Sequence, residues 1–356
     1  MSVQTEITRL NTARSDIATA ITNKGVTVPS STKLDGMASL IDGIASGFPN
    51  GTEWTQSNIT TYNDSFFVQY ADGLWVASIR GDSGKSLYYS TDGKIWTKCS
   101  MPFSDVYGII AKGNGLWVAG MSEVGLLYST DGKTWTASNK TSGYYNKKLA
   151  YGNGIWVAGY NFLCYSTDGK TWTDSNKYGD AYALHFANGL WVASTYNYVI
   201  YSTDGMTWTN SNLSYGTYFN EVYNANGMWV GGGNNGLYYS TDGKTWTQGL
   251  ATSDTIYDVQ YADGLWVACH NNGFCYSTDG KTWTQTNITG GWFRSIRRAN
   301  GIWIAAGGSI YYSIDGKTWT QCTAGPNNAS DVEYGNGIWV TGGNNGVYYS
   351  VTWEPS

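Results

Sequence analysis

Tyr239-Ser240-Thr241-Asp242-Gly243-Lys244-Thr245-Trp246-Thr247 is one copy of a phrase that returns, with small changes, from Tyr89 to Thr320. Each copy follows a Gly-Leu/Ile/Met-Trp phrase such as Gly227-Met228-Trp229-Val230. A recurrence every 36 to 42 residues marks a repeat protein, so the architecture of one unit sets the fold. The tryptophans fall into two series of eight. The first is Trp75, Trp117, Trp156, Trp191, Trp229, Trp266, Trp303 and Trp339; the second is Trp54, Trp96, Trp135, Trp172, Trp208, Trp246, Trp283 and Trp319. From each second-series Trp to the next first-series Trp the distance is 19 to 21 residues, including the step from Trp54 to Trp75. Residues 51–58 are therefore the tail of a unit whose first part lies at the other end of the chain, where the last copy loses its Asp-Gly turn after Tyr348-Tyr349-Ser350. A chain split in this way is arranged to close on itself and to hide both sheet ends.

Each unit reads as four short strands. Aromatic and β-branched residues fill the runs, and Asn-Gly, Asp-Gly or Asn-Asn-Gly fill the gaps, which is the size and grammar of a propeller blade. No segment after Phe48 sustains a helical apolar period, and 46 glycines among 356 residues disfavour helix. The fold class expected is all-β: an eight-bladed β-propeller over residues 48–356, closed by an N-terminal strand around Trp54 and preceded by a short α-helical segment over residues 1–47. The sixteen tryptophans are expected between blades as core. Val68, Ile110, Leu149, Leu184, Val222, Val259, Ile296 and Val332 occupy one repeat column and are expected on the packing face of the innermost strands.

The Tyr-Ser-Thr-Asp-Gly-Lys-Thr-Trp phrase resembles the Asp-box of the BNR repeats found in sialidases and many other propellers, with a spacing one residue shorter than the usual Ser-x-Asp-x-Gly-x-Thr-Trp. The resemblance covers seven of the eight units. It implies a structural turn remote from any active site, which makes Asp92, Asp131, Asp168, Asp204, Asp242, Asp279 and Asp315 poor catalytic candidates. In the turn, the Asp carboxylate accepts backbone N–H groups and Gly supplies positive φ. Sialidases of this kind use an arginine triad, a Tyr nucleophile with a Glu partner, and an Asp acid/base. After residue 47 the chain has only Arg80, Arg294, Arg297 and Arg298, three of them in one strand, so no enzyme activity is expected. A glycan-degrading reaction would fall to Glu221, Asp258, Asp331 and Glu333 on neighbouring inner strands.

Residues 1–47 lack every mark of the repeat. Ile7, Leu10, Ala13, Ile17, Ala20 and Ile21 form an apolar stripe at helical spacing that Gly25 and Pro29 end, and a second short helix is expected from Lys33 to Ile44. Arg9, Arg14 and Asp16 interrupt any signal-peptide core, and no stretch reaches membrane-spanning length. So small a segment cannot bury its own stripe, so Ile7, Leu10, Ile17 and Ile21 are expected to bind a partner or copies of the same chain. The run from Ile7 to Ile21, with Lys24-Gly25-Val26-Thr27-Val28-Pro29, Lys33-Leu34-Asp35-Gly36-Met37 and Leu40-Ile41, is similar to the N-terminal segment of structural proteins in tailed phages of Gram-positive bacteria. The resemblance spans about 40 residues and implies a virion protein, assembled in the host cytoplasm, with the propeller as its distal head.

A net charge of −5 with 13 % charged residues gives no nucleic-acid footprint. Polarity comes instead from Ser, Thr, Asn, Tyr and Gly, a mixture suited to neutral sugars. No cofactor is expected, and two separated histidines give metal binding no support. Cys99, Cys164, Cys269, Cys275 and Cys322 read as buried thiols, although Cys269 and Cys275 flank one hairpin and could pair.

Comparison among the chain's own repeats locates its freedom to vary. The first and third turns are nearly uniform and share one edge of a four-stranded meander, whereas the second turn and the blade-to-blade connection share the opposite edge and vary. Ligand-contacting candidates on connections are Tyr144, Tyr145, Tyr178, Tyr182, Tyr215, Tyr218, Tyr257, Trp292 and Arg294. Those on second turns are Arg80, Tyr160, Tyr196, Tyr198, Asn234, Asn235, His270, Asn271, Asn272, Asn344 and Asn345. Trp292 stands outside both tryptophan series and is the leading candidate. The function expected is a non-enzymatic phage tail or fibre protein binding a host-surface glycan or other receptor. The alternatives are a structural or decoration protein that contacts only other virion proteins and, third, a glycan-degrading enzyme.

Overall fold

In the computed structural model, residues 53–350 are described apart from 61–65, 82–83, 105–107, 123, 142–147, 160–161 and 323, together with 11, 12, 14, 15 and 17. The chain divides into two units, Gly51–Val351 and Met1–Asn50 with Thr352–Ser356. Of the expected N-terminal helical segment, Asn11, Thr12, Arg14, Ser15 and Ile17 have helical backbone. The rest of the segment, including Ile7, Leu10 and Ile21, lies outside the described residues.

The larger unit consists of eight four-stranded antiparallel sheets. Blade 5 shows the pattern, with strands Phe219–Ala225, Met228–Gly233, Gly236–Ser240 and Thr247–Ala251 paired in chain order. Blades 1 to 4, 6 and 7 repeat it. In the eighth sheet Asp331–Gly335, Ile338–Gly343 and Gly346–Ser350 are followed by Trp54–Gln56, with Trp54 opposite Ser350. Each blade's first strand lies against the first strands of both neighbouring blades, and the circle is complete where Asp331–Gly335 meets Phe66–Ala71. All-β architecture and eight blades are as the repeat count predicts.

Two turn chemistries build one edge of the blades, the first in all eight and the second in blades 1 to 7. In all eight first turns an Asn or Asp at φ 47–52° precedes a Gly at φ 72–81°, the pair of left-handed residues that a two-residue hairpin twisting with its strands requires. In the third turn, Ser240 Oγ accepts the N–H groups of Asp242 and Gly243 and donates to the Asp242 carboxylate at 2.8 Å. Asp242 then accepts the N–H groups of Lys244 and Thr245 at 2.8 and 2.7 Å. Slight burial pushes Asp242 up, but these bonds outweigh it and hold its pKa at about 2. A Cβ on Gly243, at φ +69°, would sit 2.6 Å from Leu190 of the preceding blade, so both backbone angle and space demand glycine here.

Fifteen of the sixteen repeat tryptophans are buried; Trp283 is half-buried and its indole N–H has no hydrogen-bond partner. The column from Val68 to Val332 is buried throughout. Lysines of the third turn, for example Lys133 and Lys281, lie over Tyr89 and Tyr239 of the preceding blade at 5.2 and 5.6 Å from the ring centres. All five cysteines are buried free thiols, so the Cys269–Cys275 pairing does not form.

A second set of seams escaped the sequence reading. The carboxamide of Asn212 accepts the N–H of Trp246 in the next blade at 2.7 Å and donates to its C=O at 3.0 Å. Asn58, Asn139, Asn176 and Asn287 clamp Trp96, Trp172, Trp208 and Trp319 in the same way. Each lies four residues after a second-series Trp, a recurrence visible in the sequence. These clamps satisfy edge groups that the outermost strands would otherwise leave unpaired between blades.

Candidate functional site

The meander puts the uniform first and third turns at one edge and the second turns and connections at the other. Among the described residues every exposed Tyr or Trp lies at that second, variable edge: Tyr178 (73 % exposed), Tyr196 (61 %), Tyr215 (71 %) and Trp292 (58 %). Three of the four gather around the second turn of blade 4. Tyr178 ends the outermost strand of blade 3, Thr173–Tyr178; Tyr196 lies in the second turn of blade 4; Tyr215 lies in the connection to blade 5. Tyr182, Tyr196 and Tyr218 form a triangle with ring centres 5.5 to 6.2 Å apart, Tyr196 stacked on Tyr218 at 20°. Tyr215 meets Tyr198 edge-on at 5.5 Å. Lys177, Tyr178, Asp180, Tyr182 and residues 195–198 bound a depression of about 550 Å³, within the usual size of ligand sites. Burial first, then the neighbouring Tyr196, Tyr182 and Tyr257, push the Tyr218 phenol up and keep it neutral.

The remaining candidates separate. Trp292 stands on the connection into blade 7, with the Arg294 guanidinium 5.9 Å above its ring. His270 is 2 % exposed and faces Gln285 and Asp254, which removes it from the exposed edge. Asn234 binds the backbone of Tyr218 and Gly216, Asn271 accepts the Thr255 N–H, and Asn272 donates to Asp254, so their amides build turns. Asn235 and Asn345 receive Gln248 and Gln56 on their backbone oxygens, and Asn344 donates its N–H to Asn327. Tyr144, Tyr145, Tyr160 and the side chain of Arg80 lie outside the described residues.

A second cluster lines a channel cavity of about 220 Å³ between the innermost strands. Arg297 of blade 7 is 2.7 Å from Asp258 of blade 6, and 4.0 and 3.9 Å from Asp331 and Glu333 of blade 8. Asp258 also accepts the Ile296 N–H, and Asp331 accepts Ser295 Oγ–H and the Val68 N–H of blade 1. Lys148 pairs with Glu221 at 2.5 Å. Burial pushes Asp258, Asp331 and Glu333 up, Glu333 to about 7, while Arg297 opposes the rise. Tyr257 and Arg294 also reach this cavity, from positions where the inner strands of blades 6 and 7 bulge. The four carboxylates named from the sequence thus converge, but each is engaged by a cation or a backbone N–H. Burial and pairing, rather than the solvation usual for channel carboxylates, define their setting.

No protein-family model and no curated protein matches the chain. Solved structures do. The chain is similar to the computationally designed Ika8 protein (TM-score 0.66, 11 % identity, 84 % of this chain and 98 % of that one). It is similar to the Dos1 propeller (TM-score 0.64, 10 % identity, 85 % and 95 %). It is also similar to YCF48 bound to a D1 peptide (TM-score 0.54, 16 % identity, 86 % and 96 %). At such identities the likeness speaks for the β-propeller fold alone.

Proposed function

We propose that this chain is a non-enzymatic recognition protein whose propeller binds a surface glycan or other receptor through its variable edge. The observation that carries the reading is the confinement of exposed Tyr and Trp rings, among the described residues, to that edge, opposite a scaffold edge whose first turn is repeated in every blade. Tyrosine and tryptophan give rigid, amphipathic contact area, and connections that differ from blade to blade are where selectivity is encoded. The Ser-Thr-Asp-Gly turns, in this reading, are Asp-box scaffold. The strand Trp54–Gln56 is the latch of the ring, a role supported by its pairing with Gly346–Ser350. The N-terminal resemblance extends the proposal to a tailed-phage virion, with residues 1–47 as the helical attachment segment. A second reading, a virion protein that binds only other virion proteins, draws on YCF48, a propeller of similar fold with a bound peptide. Incubating the full chain with a glycan array, host cell envelopes and purified virion subunits separates the readings. Array or envelope binding without release of reducing sugar is expected. Binding to virion subunits alone favours the second reading, and released sugar overturns the non-enzymatic one.

A further inference from the structure

We propose that the depression at the second turn of blade 4, with Tyr215 packed against its lining residue Tyr198, is a saccharide site holding two adjoining pyranose rings of a neutral glycan chain, one on Tyr196 in the depression and the next on Tyr215 beside it. The inference deepens, and rests on, the recognition reading above.

Both rings are backed and held. Tyr196 rests one face on Tyr218 and keeps 61 % of its surface in solvent, and Tyr215 is braced by the edge of Tyr198. The backbone between them is tied down: Thr195 N–H donates to Tyr198 C=O at 2.8 Å, and Gly216 N–H donates to Asn197 C=O at 3.0 Å. The blade 4 turn and the blade 5 connection therefore move as one piece, which lowers the ordering cost of binding. Tyr215 packs on Tyr198, which lies two residues from Tyr196 in the same turn, so both exposed rings belong to one patch of the variable edge.

The chemistry of the lining selects the occupant. A pyranose offers an apolar C–H face and a rim of hydroxyls; the exposed ring faces match the first, and the amide of Asn197 beside them matches the second. Rings this exposed form platforms, not the walls of an enclosed pocket that a peptide anchor requires. The nearby cation is committed to protein groups: Lys177 Nζ donates to Asn210 Oδ1 at 2.7 Å and lies over Tyr198. An anionic sugar thus gains little from it.

Calorimetric titration of the full chain with chitotetraose, maltotetraose, mannotetraose and galactotetraose, each beside its monosaccharide, tests the site. At least one tetraose should bind more tightly than its monosaccharide. Tyr196→Ala and Tyr215→Ala should each weaken that binding about fivefold or more at an unchanged melting temperature. Tyr196→Phe, which keeps the ring, should bind normally, and so should Ile95→Ala, which removes an exposed side chain from the scaffold edge. Binding that survives Tyr196→Ala but is lost in Trp292→Ala overturns this site and leaves the glycan reading standing. A monosaccharide that binds as tightly as its tetraose overturns the two-ring claim. If none of the tetraoses binds, or if a peptide library alone supplies ligands for this face, both the site and the glycan reading fall.

Discussion

Trp54 sits on a strand of three residues, yet its removal should be felt by the whole ring. The indole is 7 % exposed and packs among Ile302, Ile304, Ile310, Cys322, Ala329 and Trp339, residues of blades 7 and 8. Burying a Trp side chain removes roughly 150–250 Å² from water, about 4–6 kcal/mol as an upper bound at ~25 cal/mol/Å². Truncations of buried Trp typically cost about 3–5 kcal/mol. With an unfolding entropy of roughly 2.1 cal/mol/K per residue over about 300 residues, Trp54→Ala should lower Tm by about 5–8 °C. Trp283→Ala is the internal control: that ring is half-buried with an unpartnered N–H, so its loss should lower Tm by less than about half as much. Differential scanning calorimetry of the full chain and both variants reads the difference. A Trp54→Ala shift under about 2 °C would refute the reasoning, as would equal shifts for the two variants.

The clamps and the channel give further expectations. Asn212→Ala removes both part-buried hydrogen bonds to the Trp246 N–H and C=O and should cost about 1–3 kcal/mol in urea unfolding, at roughly 0.5–1.5 per bond; an unchanged midpoint contradicts the clamp. Arg297→Met leaves Asp258, 4 % exposed, uncompensated and should cost about 3–5 kcal/mol at pH 8. The deficit should shrink at pH 5, where the buried carboxylates take up protons, and a pH-independent deficit would count against the ion cluster. In the native chain opposed linkages act. Glu333, raised from 4.5 to about 7, contributes stability that is complete below about 4.5 and lost as pH rises through 7. Asp168 and Asp242, lowered from 3.8 to about 2, contribute stability present above 3.8 and lost as pH falls through 2. His185, lowered from 6.5 to about 4 by burial and by Lys148, contributes stability present above 6.5 and lost as pH falls through 4, which offsets Glu333 between about 4.5 and 6.5. Melting temperatures should therefore fall as pH drops below about 4, and a melting temperature unchanged between pH 4 and 2 is the contrary result.

The tyrosines of the site were all among the sequence candidates, but their grouping, and the withdrawal of other candidates, escaped the sequence for reasons particular to each residue. Trp292 stood out because it broke the tryptophan count, and the structure does expose it. Nothing set Tyr178, Tyr196 and Tyr215 apart from the other candidate tyrosines, because nothing local says that a strand end, a second turn and a blade connection gather around one turn. His270 sat in a variable turn, yet Asp254 and Gln285, respectively 16 residues before it and 15 after, draw it inside. Asn212 carried a repeat signal four residues after Trp208, but its partner lies 34 residues on, across a blade boundary.

By itself the sequence determined strands, turns, blade number and the buried columns. Those depend on interactions a few residues long, such as a positive-φ Asn-Gly pair or a Ser-Thr-Asp-Gly turn, and repetition printed them again in each unit. Only the tertiary structure decided which variable side chains share a surface and which channel charges meet. Arg297 finds Asp258 39 residues before it and Asp331 34 residues after it, and Tyr182 finds Tyr218 across a blade boundary. Such contacts are set by how neighbouring sheets stack about a common axis, and no local rule of spacing encodes that placement.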